Sequence, residues 1–502
     1  MSVKDKRKEV LELTPVYKMI RDVLKGPSAV KAAGVEYLPT PDPSDKSEYG
    51  KARYAAYILR AIFFAATSRT HEGYIGQMFY RETQIELPAV LKVMLLDVDG
   101  QSTGLEQQIK GTAGEVLAMG RAGLYTDYTA APGQNVTRED QALSRVRPTI
   151  TSYTAERIIN WRWSTVDNVK FLSLVVLEET YVKEDDGFEA KEDTQYRELR
   201  MVRSGENDDG PFIFRSTVWR DDPDTGEFKA MEPTFPTKGD GKQWDRIPFE
   251  FIGASDNDSE VDTPPLEGMA HVNIGHYRNS AEYEECIFMM GQPTPWASGI
   301  TENWLKEAWN GELRLGTREF IPLPANGQMG LLQMAPNTIA KEGMDQKADM
   351  MVALGAKLAE NKSVASTATE ENRDSVIENS TLSSVAKNTS AAYTKALESA
   401  LIYAKGSGKV VVEINTDFEI SRMSPQDRQV LLSEWQGGGI TWTEYRWNIK
   451  RGGIAYQDDD EAKAEIDAEL EESIKLNPTI DPKTGLPIVP VAEDDPDGEK
   501  NT

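Results

Sequence analysis

The stretch PPLEGMAHVNIGHYRNSAEYEECIFMMGQPTPW, residues 264–296, holds one uninterrupted helical run between two groups of prolines. Pro264-Pro265 can open a helix, and Pro293 and Pro295 stop it, because proline lacks the N–H that the helical ladder needs. The run from Leu266 to Gly291 predicts a helix about 39 Å long at about 1.5 Å per residue. Residues 292–336 carry Gly, Pro and three tryptophans, Trp296, Trp304 and Trp309, and read as a compact mixed insert. Asn337 to Glu360 is helical again and of nearly equal length, so the insert is expected at the tip of two paired helices.

Downstream, the short polar loop Asn361 to Ser366 leads to a capping box, in which the Thr367 hydroxyl accepts from the Glu370 N–H and the Glu370 side chain reaches back. The helix it opens keeps a three-or-four spacing through Val376, Leu382, Val385, Ala386, Thr389, Tyr393, Ala396, Leu397, Ala400 and Leu401, and is expected to run to Lys405 and end at Gly406. A strand, Lys409 to Ile420, and a helix with Pro425 in its first turn come next. Gly437-Gly438-Gly439 breaks the chain before a short helix, Trp442 to Ile449. Positions 458 to 472 hold nine acids and one lysine, a solvated helix or tail. From Asn477 onward, five prolines with no apolar period predict disorder.

Upstream, a short helix, Glu9 to Val23, stops at Lys25-Gly26-Pro27 and gives way to the connector YLPTPDPSD. Within residues 49–80, Tyr54, Tyr57, Ile58, Ala61, Ile62, Ala65 and Ala66 recur at helical spacing and predict one helix with a broad apolar face. A second helical pattern, Leu105 to Gly120, precedes the Gly-punctuated strand GRAGLYTDY. Between about 150 and 255 the period changes from 3.6 to 2. Phe171 to Val182, Gln195 to Val202 and Pro211 to Arg220, separated by turns such as KEDDG and ENDDG, read as an antiparallel meander.

The chain has 502 residues, 39% hydrophobic and 27% charged, enough apolar material for two or three cores. Its net charge of −26 argues against tight sequence-independent binding to nucleic acid, which depends on Lys and Arg replacing counterions on phosphates. Passage of DNA past a surface that does not hold it stays compatible with that charge. Cys286 is the one cysteine, so no internal disulfide framework exists, and a reducing compartment fits. The N-terminus has no apolar signal core and no stretch has the length of a membrane span, so a soluble, unexported protein is expected and the Asn135-Val136-Thr137 sequon is read as inert.

VMLLDVDG, residues 93–100, delivers Asp97 and Asp99 two positions apart, as in haloacid-dehalogenase-type phosphatases, where one carboxylate attacks phosphorus and the other serves as acid and base beside Mg²⁺. Gln101 and Ser102 depart from that pattern, and the preferred reading is an acidic turn ending a strand. GSGK at 406–409 lacks the rest of a phosphate-binding loop, with Tyr403 and Val410 at its key positions, and is read as a helix C-cap. His271 and His276, five apart, do not share a helix face as a metal pair would, and Cys286 beside Glu284 and Glu285 lacks an electropositive setting. The tryptophans of 296–309 alternate with both signs of charge, so packing is preferred over a base-stacking platform.

The order of these elements resembles the portal proteins of tailed bacteriophages. The resemblance rests on YLPTPDP; LAMGRAGLYTDY at 117–128; IINWRW at 158–163; IPFEFIG at 247–253; the 264–296 stretch; and ALGAKLAENKSVASTATEENRDSVIENSTLSSVAKNTSAAYTKALESA at 353–400. It covers about residues 30 to 455. It implies an α+β portal fold: a β-rich and helical wing (1–263), stem helix 1 (264–291), a mixed α/β clip (292–336) and stem helix 2 (337–360). A tunnel loop (361–366), a long helix with a return to the wing (367–420), an α-helical crown (421–475) and an acidic, Pro-rich tail (476–502) complete it.

The same resemblance implies a homo-oligomeric ring of about twelve subunits at one capsid vertex, through which double-stranded DNA enters and leaves. Its partners would be the terminase large subunit, major capsid and scaffolding proteins, and later a head-tail adaptor or tail protein, with no membrane. The protein would reside in the virion, and in the host cytoplasm during assembly. Lys357, Asn361, Lys362, Ser363, Val364 and Arg373 would face or border the channel; Trp304, Leu305, Ala308 and Trp309 would form the clip interface. No catalytic residue, metal or cofactor is expected, and no ATPase activity, since a separate terminase supplies packaging energy.

Twelve helices side by side at about 10 Å give a circumference of about 120 Å and a diameter of about 38 Å through their axes. Subtracting one helix thickness of about 10 Å leaves roughly 28 Å, which clears a duplex of roughly 20 Å. The alternatives are another virion connector subunit, usually shorter and without paired long helices, and a metal-dependent phosphatase using Asp97 and Asp99.

Overall fold

In the computed structural model of the chain the described residues are 2–128, 147–205, 210–222, 225–291, 294–309, 323–332, 338–359, 381–416, 418, 425–451, 454, 455, 457 and 459–476. They form an α+β protein that divides into two units, residues 1–418 and 419–502. In the first unit, α1 (Lys8–Lys25) and α2 (Pro27–Ala32) precede α3 (Glu48–Arg60), whose N-cap Ser47 accepts from the Gly50 N–H at 3.1 Å.

The single helix expected within residues 49–80 is two. α3 ends at Arg60, α4 spans Ala66–Met78, and Ala61 between them is extended with ψ 135°. Hydrogen bonds from a distant helix replace the helical ladder here: Ser280 Oγ accepts from the Ile62 N–H at 3.1 Å, and Asn273 Nδ2 donates to the Phe64 carbonyl at 2.7 Å. Tertiary partners thus override an apolar spacing that suits a helix.

β1 (Gln84–Glu86) is followed by a 3₁₀ turn over Ala89–Leu95, so the apolar run before Asp97 is not a strand. α5 (Leu105–Met119) closes at Gly120, whose φ of 75° turns the chain directly into β2 (Arg121–Tyr128). β2 is the centre of an antiparallel sheet, flanked by β3 (Pro148–Thr154) and β9 (Phe249–Gly253). β4 (Ile158–Val166), β5 (Val169–Asp185), β6 (Ala190–Arg203), β7 (Phe212–Asp221) and β8 (Phe228–Ala230) form the expected antiparallel meander in sequence order.

After the sheets come α6 (Glu267–Met290), β10 (Thr294–Ser298), α7 (Glu302–Trp309), β11 (Gln328–Leu332), α8 (Ile339–Ala359) and α9 (Thr381–Tyr403). The long helix is described from Thr381 onward; the capping box at Thr367 and Glu370 lies outside the described residues. Its end differs from expectation. Lys405, not Gly406, takes the left-handed conformation (φ 51°), and the Gly406 N–H donates to the Leu401 carbonyl at 3.0 Å. The strand expected over 409–420 is short: β12 (Val411–Glu413) pairs with β1, which offers three residues.

One apolar core joins α1, α4, α5, α6 and α9 through Tyr17, Met78, Leu117, Ile274, Tyr277, Tyr393 and Leu397. A second lies on the sheets around Tyr125, Trp161, Phe214 and Trp244. In the other unit, α10 (Pro425–Gln436) and α11 (Trp442–Arg451) are joined by the triple-glycine turn, and Trp435 packs on Trp442 and Tyr445 at centroid distances of 5.3 and 4.9 Å. A capping box opens α11: Thr441 Oγ1 accepts from the Glu444 N–H, and Glu444 accepts from the Thr441 N–H at 2.7 Å. The acidic run forms α12 (Asp459–Leu476), and Asp459 accepts from Lys450 at 2.8 Å. The tail from residue 477 lies outside the described residues.

Candidate functional site

α6 and α8 run antiparallel. Gly268 faces Leu354, Gly275 faces Lys347, and Asn279 faces Gly343, so one helix returns as the other advances. The glycines set the approach: a Cβ on Gly275 would stand 3.0 Å from Lys347 Cε.

The inner face of α6 is tied to the body by polar groups. Asn273 is fully buried and binds Thr67 and Phe64, Ser280 binds Ile62, and Arg278 Nε donates to the Tyr37 carbonyl at 2.7 Å. Glu285 pairs with Arg60 and stands 4.0 Å from Arg53, while the Arg60 guanidinium lies 4.2 Å from the centre of the Phe288 ring. α8 is held at its far end, where the Tyr74 hydroxyl donates to the Gly355 carbonyl.

Past these ties the surface becomes apolar and uncovered. Ile287, Phe288 and Met289 on the last turns of α6 are exposed. β10 and β11 pair antiparallel from Thr294↔Leu332 to Ser298↔Gln328, and the Trp296 indole lies against Gly330 across the ladder. Trp296 is 44% exposed, Leu331 63% and Leu332 68%. Consecutive strand residues face opposite sides. The two leucines therefore leave both faces of this small sheet apolar and open in a single chain.

Of the residues expected at the clip, Trp304 and Leu305 are half-buried on α7, with the Trp304 N–H donating to Thr301 Oγ1 at 3.4 Å. Ala308 and Trp309 are in the last turn of α7, and their side chains lie outside the described residues. Lys357 is in α8, its side chain likewise outside. Asn361, Lys362, Ser363, Val364 and Arg373 lie outside the described residues.

Asp97 and Asp99 organise a turn. Asp97 Oδ1 accepts from the Gly100 and Ser102 N–H groups at 2.8 and 3.1 Å, and its other oxygen pairs with Arg147; Asp99 Oδ1 accepts from Gln101 and Thr103. Burial raises the Asp97 carboxyl, but the Arg147 hydrogen bond and these N–H groups outweigh it and hold it below the usual carboxylate range. His271 is exposed, 3.9 Å from Glu267, whereas His276 is buried against Phe64, and burial with the Lys347 charge holds its imidazole below the ordinary value. Cys286 is half-buried. Among the described residues no group of three or more His, Cys, Asp or Glu could hold a metal ion, and no helix is long and apolar enough to cross a membrane.

Asn273, Ser280, Leu331 and Leu332 are absent from the sequence-based selection. A polar residue among Met269, Ala270, Ile274, Tyr277 and Ala281, on the apolar face of α6, is the signal that marks Asn273. The leucine pair carries no comparable signal, since a paired strand and a buried one look alike in two residues.

Residues 265–404, spanning α6 through α9, match a family described as a domain of unknown function (DUF4055). No curated protein matches the chain. Among solved structures, a chain of the neck of a native GTA particle computed with C12 symmetry is similar at 11% identity and a TM-score of 0.39, covering 76% of this chain and 89% of that one. A chain of the neck of an empty GTA particle computed with C6 symmetry is similar at 11% identity and a TM-score of 0.40, covering 79% and 91%.

Proposed function

We propose that the chain is a subunit of a homo-oligomeric ring in a phage-type virion, a portal protein whose central channel passes double-stranded DNA during packaging and ejection. The observation that carries this reading is the antiparallel α6–α8 pair, anchored to the body by Asn273, Ser280 and Glu285 and bearing an insert with uncovered apolar side chains. A small two-stranded sheet open on both faces is marginal in water and gains stability when copies cover it. The resemblance of the 264–296 and 353–400 stretches to portal proteins supports the same reading.

In it, α6 and α8 are the stem, residues 292–336 the clip, and 361–366 the tunnel loop, with Lys362 offering one positive charge per subunit to the duplex. The acidic balance keeps DNA mobile, since each phosphate bound by a basic group adds salt-sensitive affinity. The ring is the docking platform for the terminase large subunit and then the adaptor, with capsid and scaffolding proteins around it, and it has no catalytic role. Native mass measurement of the purified chain tests the assembly. A closed species near twelve copies, with about 1,000 Å² or more buried per neighbour, is expected; a monodisperse monomer at micromolar concentration and moderate salt would contradict it.

A further inference from the structure

β5 pairs with β4 only as far as Leu177, and β6 pairs with β7 only from Tyr196 onward. Between these limits, Glu179–Asp185 and Ala190–Gln195 pair with each other, and the hairpin leaves the sheet as a two-stranded arm. Lys183, 2.8 Å from both Asp193 and Asp221, ties the base of the arm to the end of β7. Beyond it, residues 184–193 hold six acids and one lysine.

The tip is shaped rather than loose. Asp185 Oδ1 accepts from the Gly187 N–H at 2.8 Å, and Asp186 Oδ1 accepts from the Phe188 and Glu189 N–H groups at 2.9 and 2.7 Å. This frame holds Phe188 wholly in solvent, at 102% exposure. A fixed acidic turn that presents one aromatic ring is suited to a basic, apolar hollow.

Such a hollow lies at the other end of the same strand. It has a volume of about 710 Å³ and is lined by Arg200, Arg203, Arg215, Phe212, Ile213 and Phe235 among others, with no acidic residue among the described ones. Glu198 pairs with Arg200 and, at 3.4 Å, with Arg215. Arg203 lies 4.7 Å from the Phe212 ring centre and has no carboxylate partner among the described residues. Phe235 is 44% exposed.

We infer that the acidic arm of one subunit, led by Phe188, docks in the Arg200–Arg203–Arg215 hollow of a second copy of this chain. From Ala190 at the tip to Arg203 at the hollow, β6 spans about 43 Å at about 3.3 Å per residue, so an arm does not reach its own hollow. A contact between two different patches is heterologous, and repeated by a rotation that closes on itself it makes a ring. This inference rests on the ring reading and supplies one of its interfaces.

The test uses the full chain with Cys286→Ser, Lys191→Cys beside the tip and Ser204→Cys at the hollow, which leave Phe188 and Phe235 in place, joined by a short bismaleimide and run on a denaturing gel beside light scattering of the same sample. A ladder of covalent multimers beyond the dimer is expected, absent from each single-cysteine variant, with its yield lowered about tenfold by Arg203→Glu. Assemblies in scattering without a ladder overturn the arm contact and leave the ring. A ladder that stops at the dimer overturns the head-to-tail geometry, and an unchanged yield with Arg203→Glu overturns the charge match. Monomers in scattering overturn both readings.

Discussion

Asn273 and Thr67 are joined twice: the Asn273 side-chain oxygen accepts from the Thr67 backbone N–H at 3.2 Å and from its hydroxyl at 2.9 Å. With Nδ2 on the Phe64 carbonyl, one buried amide holds the start of α4 and the break before it against α6. Asn273→Leu keeps the volume and strands the buried Thr67 N–H and hydroxyl, while the Phe64 carbonyl keeps the Ala66 N–H at 2.8 Å, so a loss of about 3 kcal/mol is expected, read as a lower urea midpoint. An unchanged midpoint would mean that the break at 61–65 is held by something else.

Acid should weaken the first unit through its two buried histidines. His71 lies under α5 with Nε2 2.8 Å from the Gly114 carbonyl, and burial pushes its imidazole below the ordinary value despite that bond; His276 is shifted the same way by burial and Lys347. Above about pH 6.5 both are neutral in folded and unfolded chains and contribute nothing to the pH dependence. As pH falls below about 6.5 the unfolded chain takes up protons that the folded one refuses, so stability falls until the lowered folded values are passed. Urea midpoints measured from pH 7.5 to 5 should show this decline, and His71→Gln should reduce it.

Leu331→Ser with Leu332→Ser should act on association and not on the fold of one chain. Both side chains are largely exposed, and exposed positions without special roles change stability by about 0.5 kcal/mol or less. The dissociation midpoint of the assembly on dilution should rise at least about tenfold, the scale of one lost apolar anchor. Equal assembly by both proteins would remove the insert from the interface.

In the proposed channel, Lys362→Glu should leave ring assembly intact and lower the amount of DNA packaged or retained. A ring of like positive charges steers phosphates over about 8 Å at physiological salt, and its reversal repels them. Packaging and retention at the unmodified level would take Lys362 out of the channel.

The paired helices are legible in the sequence because Pro264, Pro265, Pro293 and Pro295 bound one of them and the meander is legible because its strands alternate between acidic turns. Local residues decide both. The break at Ala61–Ala65 is not legible, since its cause, Asn273 and Ser280, lies more than two hundred positions away. Val93 to Leu95 suits a strand by composition and forms part of a 3₁₀ turn, the usual ambiguity of a short apolar run. For the candidate site, the helix–insert–helix order is readable, but the open leucines of β11 and the arm at Phe188 emerge only from strand register, which fixes what is left uncovered.

Negative-stain electron microscopy of the purified chain shows the ring or its absence in one image. Closed rings of about twelve copies around a central hole wider than a duplex of roughly 20 Å are expected. A field of single 502-residue chains with no rings would contradict the ring reading.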